Sequence, residues 1–499
     1  MRKLIAILTL LCVSSMTMGA LEYMSSAPGT MSESIGDPSD ITVLKVRGHV
    51  DASDLFFIGK NMPGLVSLDL GEAVVDGYSG AAVEGASKYA ANTIPSKAFA
   101  GLPLKSLVLP ASGRLVVGDA AFAGTSMESL AVPANVDSIG MGAFAGSPLL
   151  KEVRFSSPAA LGDGAFAACP ALVSVVLGGQ NRLGAFAFAD CTSLSDVAQS
   201  ASLDNVGASA FAGCKSLDTF VFGKGLTIIG GSAFAGTSIK SADLSAVASL
   251  DSIGDWAFSK NGALTSVKFG GNVRAMGKGA FFDCPALEEF SLPESCETLA
   301  DYVFKDDAEI KSDNIIHGRL KHIGDYAMKG HGKTADLVLP STLRYIGTGA
   351  MEGMTGLKKI TVSALDTVPE LGENVWAGID RPSVDLEMQP EMSDAFGAAE
   401  QWCDFHFVMD TGNIDAVVDN IPSASTLRGR FAGYNLYIES SSAEIETVRL
   451  YDASGLLLYS ARCGTQKTVI NTSAMTGNIF IADCTLDGGA RGVVKLVRH

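Results

Sequence analysis

The sequence predicts a repeat solenoid, a right-handed coil of short β-strands and helical turns, followed by a small all-β sandwich domain. Three observations lead there. Thirteen times between Phe99 and Trp376 the chain repeats variations on an aliphatic residue, Gly, two variable residues, Ala and an aromatic or Met. The last position of the pattern is Phe99, Phe122, Phe144, Phe166, Phe188, Phe211, Phe234, Phe258, Phe281, Phe304, Met328, Met351 and Trp376, in steps of 22 to 25 residues. Such a period means stacked coils, none of which buries its apolar side without its neighbours. Composition agrees, since 47% hydrophobic against 18% charged residues, with 55 Gly, suits tightly stacked coils and argues against disorder. From about Arg428 the long period gives way to simple alternation, the mark of half-buried strands.

Residues 1–20 read as a secretory leader. Arg2-Lys3 is its positive start, Leu4 to Val13 its apolar stretch and Met18-Gly19-Ala20 a cleavage site. Residues 21–40 follow as a linker, and 41–92 as an N-terminal cap and loop. In that cap Ile41 to Arg47 is a first strand, Asp51-Ala52-Ser53-Asp54 a helix start capped by Ser53, and Leu65 to Leu70 a second strand. Residues 71–93 are a Gly-, Ala- and Ser-rich loop.

Residues 93–380 are the coils, and Val136 to Phe155 is a typical copy. Extended pieces at Val136–Ile139 and Leu150–Phe155 flank a helical turn, Gly140 to Ser147, that tucks Ala143 and Phe144 inward. Gly recurs before this turn at 118, 140, 162, 184, 207, 230, 254, 277, 324, 347 and 372. Such a column implies positive φ or backbones too close for a β-carbon. Cys169, Cys191, Cys214 and Cys284 sit three places after the column aromatic, where Thr125, Ser147 and Thr237 stand in other copies. A site accepting Cys, Thr or Ser is small and inward, so these are read as buried free thiols.

Residues 381–410 are a C-terminal cap, with Pro390 to Phe407 an amphipathic helix that seals the last coil through Phe396, Trp402 and Phe405. A linker, 411–427, leads to the sandwich at 428–499. Its strands are Tyr434–Glu439, Glu446–Tyr451, Leu456–Ala461, Lys467–Asn471, Asn478–Asp483 and Val493–Val497, with Asp452-Ala453-Ser454-Gly455 a hairpin turn. Cys463 and Cys484 end two of these strands, and a bridge between them is left open.

The consensus Leu-x-x-Ile-Gly-x-x-Ala-Phe-x-x-Cys-x-x-Leu-x-x-Val-x-Leu-Pro, carried well by Cys191-Thr192-Ser193-Leu194 and Cys214-Lys215-Ser216-Leu217, closely resembles the BspA-like, or treponemal-type, leucine-rich repeat. Copies weaken after Phe304, with Ile310 to Ile316 irregular and Met at 328 and 351. The resemblance implies a leucine-rich-repeat coil on a secreted or surface protein that adheres to host matrix proteins or other cells. Val448 to Gly455, Thr476 to Ile481 and Lys495 to Arg498 resemble the C-terminal sorting domain of type IX secretion cargo. That resemblance implies recognition by the type IX machinery and passage through an outer membrane.

A formal charge of −17 repels polyanions and argues against nucleic acid and anionic membrane as partners. After the leader no run is long and apolar enough to span a bilayer. The six histidines form no set: His317 and His322, with His331 beyond, fall in a degenerate repeat and are read as solvated or coil-edge residues rather than zinc ligands. No nucleophile elbow, phosphate loop or Cys-x-x-Cys pair occurs, so no enzyme activity and no cofactor is expected. Binding is read instead from the outward position of the regular strand, occupied by Val108, Ala131, Arg154, Val176, Ala198, Val221, Asp243, Lys268, Ser291, Val338 and Thr361. Val108, Arg154, Val176, Val221, Lys268 and Val338 are the candidate ligand-binding residues, for an extracellular or host matrix protein. Val also simply suits β-structure. Trp256 is the main outward aromatic, a thin basis for a glycan platform; glycan capture and a structural envelope spacer are the other readings.

Overall fold

The computed structural model describes residues 19–497 except 26, 199–201, 271–272, 294, 308, 311–314, 317, 363–366, 390–391, 410–426, 433, 442, 474, 476–478 and 490. The leader core, His317 and most of the 411–427 linker lie outside the described residues. Two compact units divide the chain: Met1–Ile310 with Ile323–Gly330, and Lys311–His322 with His331–His499. The division falls in the irregular copy around Ile310 to Ile316.

The first unit begins earlier than expected. Residues 21–40 are not a linker: strand Ala20–Ser25 pairs in parallel with Val43–Val50, which pairs with Ser67–Val75 and through it with Ser106–Val108. Tyr23 and Met31 are buried, and the Asp54 carboxylate accepts from the amides of Gly29 (2.6 Å) and Met31 (2.9 Å), pinning the connection. Helix Ala52–Asn61 is capped by Asp51 and not by Ser53. Asp51 accepts from Ser53 N at 2.8 Å, and Asp54 reaches back to Asp51 N at 3.1 Å, so each carboxylate satisfies a free helix-end amide. The expected loop at 71–93 instead carries a hairpin, Tyr78–Val83 with Ala86–Tyr89.

Most coils run strand, turn, strand. In the first unit Ser129–Val132, Glu152–Phe155, Ser174–Val176 and Asp196–Ala198 form one parallel sheet, while Leu115–Val117, Val136–Ile139 and Ala160–Leu161 lie in another. Inside the turns the ten rings from Phe99 to Phe304 are fully buried. Successive centroids are 5.2–5.8 Å apart with planes within 18°. Burying each contributes roughly 1.5–3 kcal/mol.

The glycine column is explained by close approach. A β-carbon on Gly140 would lie 2.5 Å from Asp119 Oδ1 and 2.7 Å from Asp119 N, while its φ is not positive. Left-handed backbone falls elsewhere, two residues before and two after every column residue. The earlier of these positions is held by Lys97, Ala120, Phe186, Trp256, Tyr302 and Asn374 as well as by glycines.

Three places after the column residue the small-residue site is buried as expected. Thr125, Ser147 and Thr237 donate to their own coil's Phe carbonyl at 3.0, 2.9 and 3.2 Å. The thiols of Cys169, Cys191, Cys214 and Cys284 reach the preceding coil's, at 3.1–3.4 Å, and all four are free. Asn261 bonds both, Phe234 O at 2.9 Å and Phe258 O at 2.8 Å. Asp307 occupies the same column, fully buried, with Oδ1 accepting from Cys284 N at 2.6 Å. Burial pushes its carboxyl well above the usual carboxylate range.

In the second unit Met351 and Trp376 are buried, and the strands Asp336–Leu339, Lys359–Val362, Asp385–Met388 and His406–Met409 make one parallel sheet. The C-terminal cap thus extends the sheet by two strands. Its helix is only Ser393–Ala398, shorter than the expected Pro390 to Phe407, because the chain turns back to place the last strand. The sealing residues are as read: Phe396, Trp402 and Phe405 are buried, with Trp402 and Phe405 5.1 and 5.2 Å from Trp376. His331 is buried, contrary to the solvated reading, and His322 stacks on Tyr345 at 4.7 Å.

The C-terminal module has two antiparallel sheets. Leu427–Ala432, a strand missed in the sequence, joins Asn435–Ser440 and Lys467–Asn471; Ile445–Asp452 lies between Leu457–Thr465 and Ile479–Leu486, with Arg491–Val497 at the edge. Leu436, Ile438, Val448, Leu450, Ile470 and Phe480 form its core. Asp452 sets the hairpin by accepting from Ser454 N at 2.8 Å and Leu456 N at 3.0 Å. Cys463 and Cys484 are free. They lie on strands to either side of Ile445–Asp452, and two strand spacings of about 4.8 Å exceed the roughly 7 Å limit for a disulfide.

Candidate functional site

Alternation along a strand turns every second side chain outward, and parallel register stacks those side chains into a column. In the first unit the register sets Arg154 between Ala131 and Val176, with Ala198 beyond Val176. Asp243 pairs with Lys268, and Val108 with Asp69. Val221, 72% exposed, stands outside any named strand. Val338 is exposed too, beside Thr361 on the second unit's sheet. Val176 is half-buried. The structure therefore brings Arg154 and Val176 together on one sheet face. Val108 and Lys268 are on other sheets.

The charges on this column are loosely held. Arg154 pairs with Glu152 at 2.5 Å and Lys268 with Glu289 at 4.0 Å, each side chain of the two bases more than half exposed. Exposed pairs of this kind stabilise a fold by roughly 0–1 kcal/mol. Arg154 and Lys268 are available to a partner at small cost.

A second cluster was only partly legible. Trp256 is joined by Phe282 at 5.4 Å and Tyr302 at 6.3 Å, and Tyr302 stacks on Tyr326 at 5.3 Å. Lys278 Nζ lies 5.0 Å over the Tyr302 ring and Lys305 Nζ 4.8 Å over Phe282. Gly279 makes room for the indole: a β-carbon there would stand 2.3 Å from Trp256 Cε3. Ring faces that engage one another and lysine ammonium groups do not form an open stacking platform for sugars. The signal was the aromatic content of the position two before the column, at 256, 302 and 326.

Sequence reading did not find a cavity of about 730 Å³ in the second unit, beside the turn of the last coil. Its walls include Thr348, Glu373, Asn374, Trp376, Glu400 and Gln401. Among the described residues no group of three or more His, Cys, Asp or Glu converges as a metal ion requires, and no helix is long and apolar enough to cross a membrane.

Comparison with known proteins bears on the repeat. A leucine-rich repeat protein of Bacteroides ovatus is 19% identical, with 75% of this chain and 85% of that one covered and a TM-score of 0.49. The pneumococcal vaccine antigen PcpA is 16% identical over 75% of this chain and 84% of its own, with a TM-score of 0.39. A leucine rich cell surface protein of Faecalibacterium prausnitzii is 19% identical, covering 48% of this chain and 88% of its own, with a TM-score of 0.26. No curated protein matches the chain. The model of the BspA type leucine rich repeat region matches residues 92–198, 181–311 and 321–389 in six copies. These segments make up more than half of the chain and contain every column residue from Phe99 to Trp376, and the protein belongs to the BspA-type leucine-rich repeat family.

Proposed function

We propose that this chain is an exported, non-catalytic binding scaffold at the cell surface or beyond it, and that its outward strand column docks an extracellular protein in the manner of an adhesin. The observation that carries the reading is the in-register face of Ala131, Arg154, Val176 and Ala198. It offers apolar area beside a base that is paired, among the described residues, with the half-buried Glu152 carboxylate. Apolar centres with a polar rim are how protein interfaces are built. Engaged ring faces around Trp256 make glycan capture the weaker alternative. Export rests on the leader at residues 1–20, and delivery on the C-terminal module serving as a type IX sorting domain.

Surface plasmon resonance of the chain against purified matrix proteins, with a glycan array in parallel, tests this. Val176→Glu with Val221→Glu should weaken protein capture by about tenfold or more, a loss of roughly 1.4 kcal/mol, with circular dichroism unchanged. Undiminished capture by that variant moves the site off the column, and sugar-only binding favours the alternative.

A further inference from the structure

The turns are joined by one-way hydrogen bonds. In every described coil from Lys97 to Asp306, the amides two before, at and two after the column residue donate to three carbonyls of the following coil, as Gly142, Phe144 and Gly146 do to Asp163, Ala165 and Ala167 at 2.8–2.9 Å. Gly349, Met351 and Gly353 repeat this toward Glu373, Val375 and Ala377 at 2.9, 3.2 and 2.9 Å. Among the described residues no further turn of this kind follows the last coil. Its corresponding amides belong to Asn374, Trp376 and Gly378, and among the described residues none has an acceptor.

The cap reaches this turn through Gln401. Its Oε1 accepts from Val375 N at 2.9 Å and its Nε2 donates to Gly372 O at 2.7 Å, inserted where other coils close their turn with a direct bond such as Ala143 N to Gly140 O. Asn374, Trp376 and Gly378 all line the cavity of about 730 Å³. Trp376, 2% exposed, also has an indole Nε1 with no acceptor among the described residues.

We infer that this cavity is an edge-addition site for an extended segment of a protein partner that carries basic side chains. Donors on alternate residues require carbonyls on alternate residues, which the next coil supplies elsewhere and which an extended peptide supplies in the same way. A small anion would satisfy fewer of them and would meet Glu373 and Glu400 in the same walls. Those carboxylates instead draw Lys or Arg. Arg381, also in the wall, is already paired with Asp404 at 3.0 Å. The inference rests on the protein-binding reading but places a contact on a different surface.

Residue-resolved amide exchange on the full chain tests it, with a synthetic peptide alternating Lys and Val as probe and one alternating Glu and Val as control. Without peptide, the amides of Asn374, Trp376 and Gly378 should exchange at least about tenfold faster than those of Gly349, Met351 and Gly353. The Lys peptide should slow those three by about tenfold or more, the Glu peptide should not, and Glu373→Gln with Glu400→Gln should weaken the effect without altering circular dichroism. Amides already protected, no slowing by the Lys peptide, or equal slowing by both peptides overturns the site. Matrix-protein capture through Val176 and Val221 is read separately, so either idea can fail while the other stands.

Discussion

Truncating Phe211 to Ala removes one ring from the middle of the buried column. Phe211 is fully buried, stacks on Phe188 at 5.6 Å and on Phe234 at 5.5 Å, and meets Phe220 edge-on at 5.3 Å. A phenylalanine buries roughly 150–250 Å², which at about 25 cal/mol per Å² bounds its contribution at about 4–6 kcal/mol. Alanine keeps the β-carbon and the neighbours relax in part, so the substitution should cost about 3–5 kcal/mol. Two lost stacks account for about 1–3 kcal/mol of this. Because those partners belong to the coils before and after, several coils should loosen together. Urea titration followed by circular dichroism should show a lowered midpoint, and hydrogen exchange should rise across residues 188–234 as a block. An unchanged midpoint would refute a stabilising inward column.

Asp307→Asn should stabilise the protein at neutral pH. Burial raises the native pKa of Asp307 above 3.8, so the folded state keeps a proton that the unfolded chain releases, and stability contributed by this site falls as pH rises from about 4. The variant's advantage should therefore grow as pH rises above about 4 and vanish below it; an advantage independent of pH would contradict a neutral buried acid. Thiol labelling of the native protein should modify exposed Cys403 quickly and leave Cys169, Cys191, Cys214 and Cys284 until denaturant is added. Burial pushes the Cys214 thiol up to about 12, so rapid native labelling there would show the column to be open. Trp402→Ala, which removes an indole bonded to Pro369 O at 3.2 Å and packed on Trp376, should cost about 3–5 kcal/mol in the same urea assay; no change would mean that the cap does not seal the coil.

The column aromatics and the interchange of Cys, Thr and Ser three places later were legible because each obeys one local demand, burial in a small shared space. The glycine column was legible as a requirement with two causes left open, positive φ or close approach; that contact between neighbouring backbones is the one at work appears only when coils are stacked. Left-handed positions left no glycine signal, since Phe186, Trp256 and Tyr302 occupy them alongside glycines. Strand Ala20–Ser25 was missed because its partner, Val43–Val50, lies beyond a connection that reads as a linker. For the site, alternation alone marked Val176 and Arg154 as outward. The cavity beside Trp376 was not readable, because it arises where the repeated turns give way to the cap.

Where they are described, from Lys97 to Asp306 and again from Gly349 to Gly353, the one-way amide rows give a winding two chemically unlike faces, one presenting donors and the other acceptors. Two donor faces brought together would set N–H against N–H with no carbonyl between them, which disfavours a two-fold pair formed through like ends. Any self-association along these rows must therefore run head to tail, a polarity inherited from the direction of the chain itself.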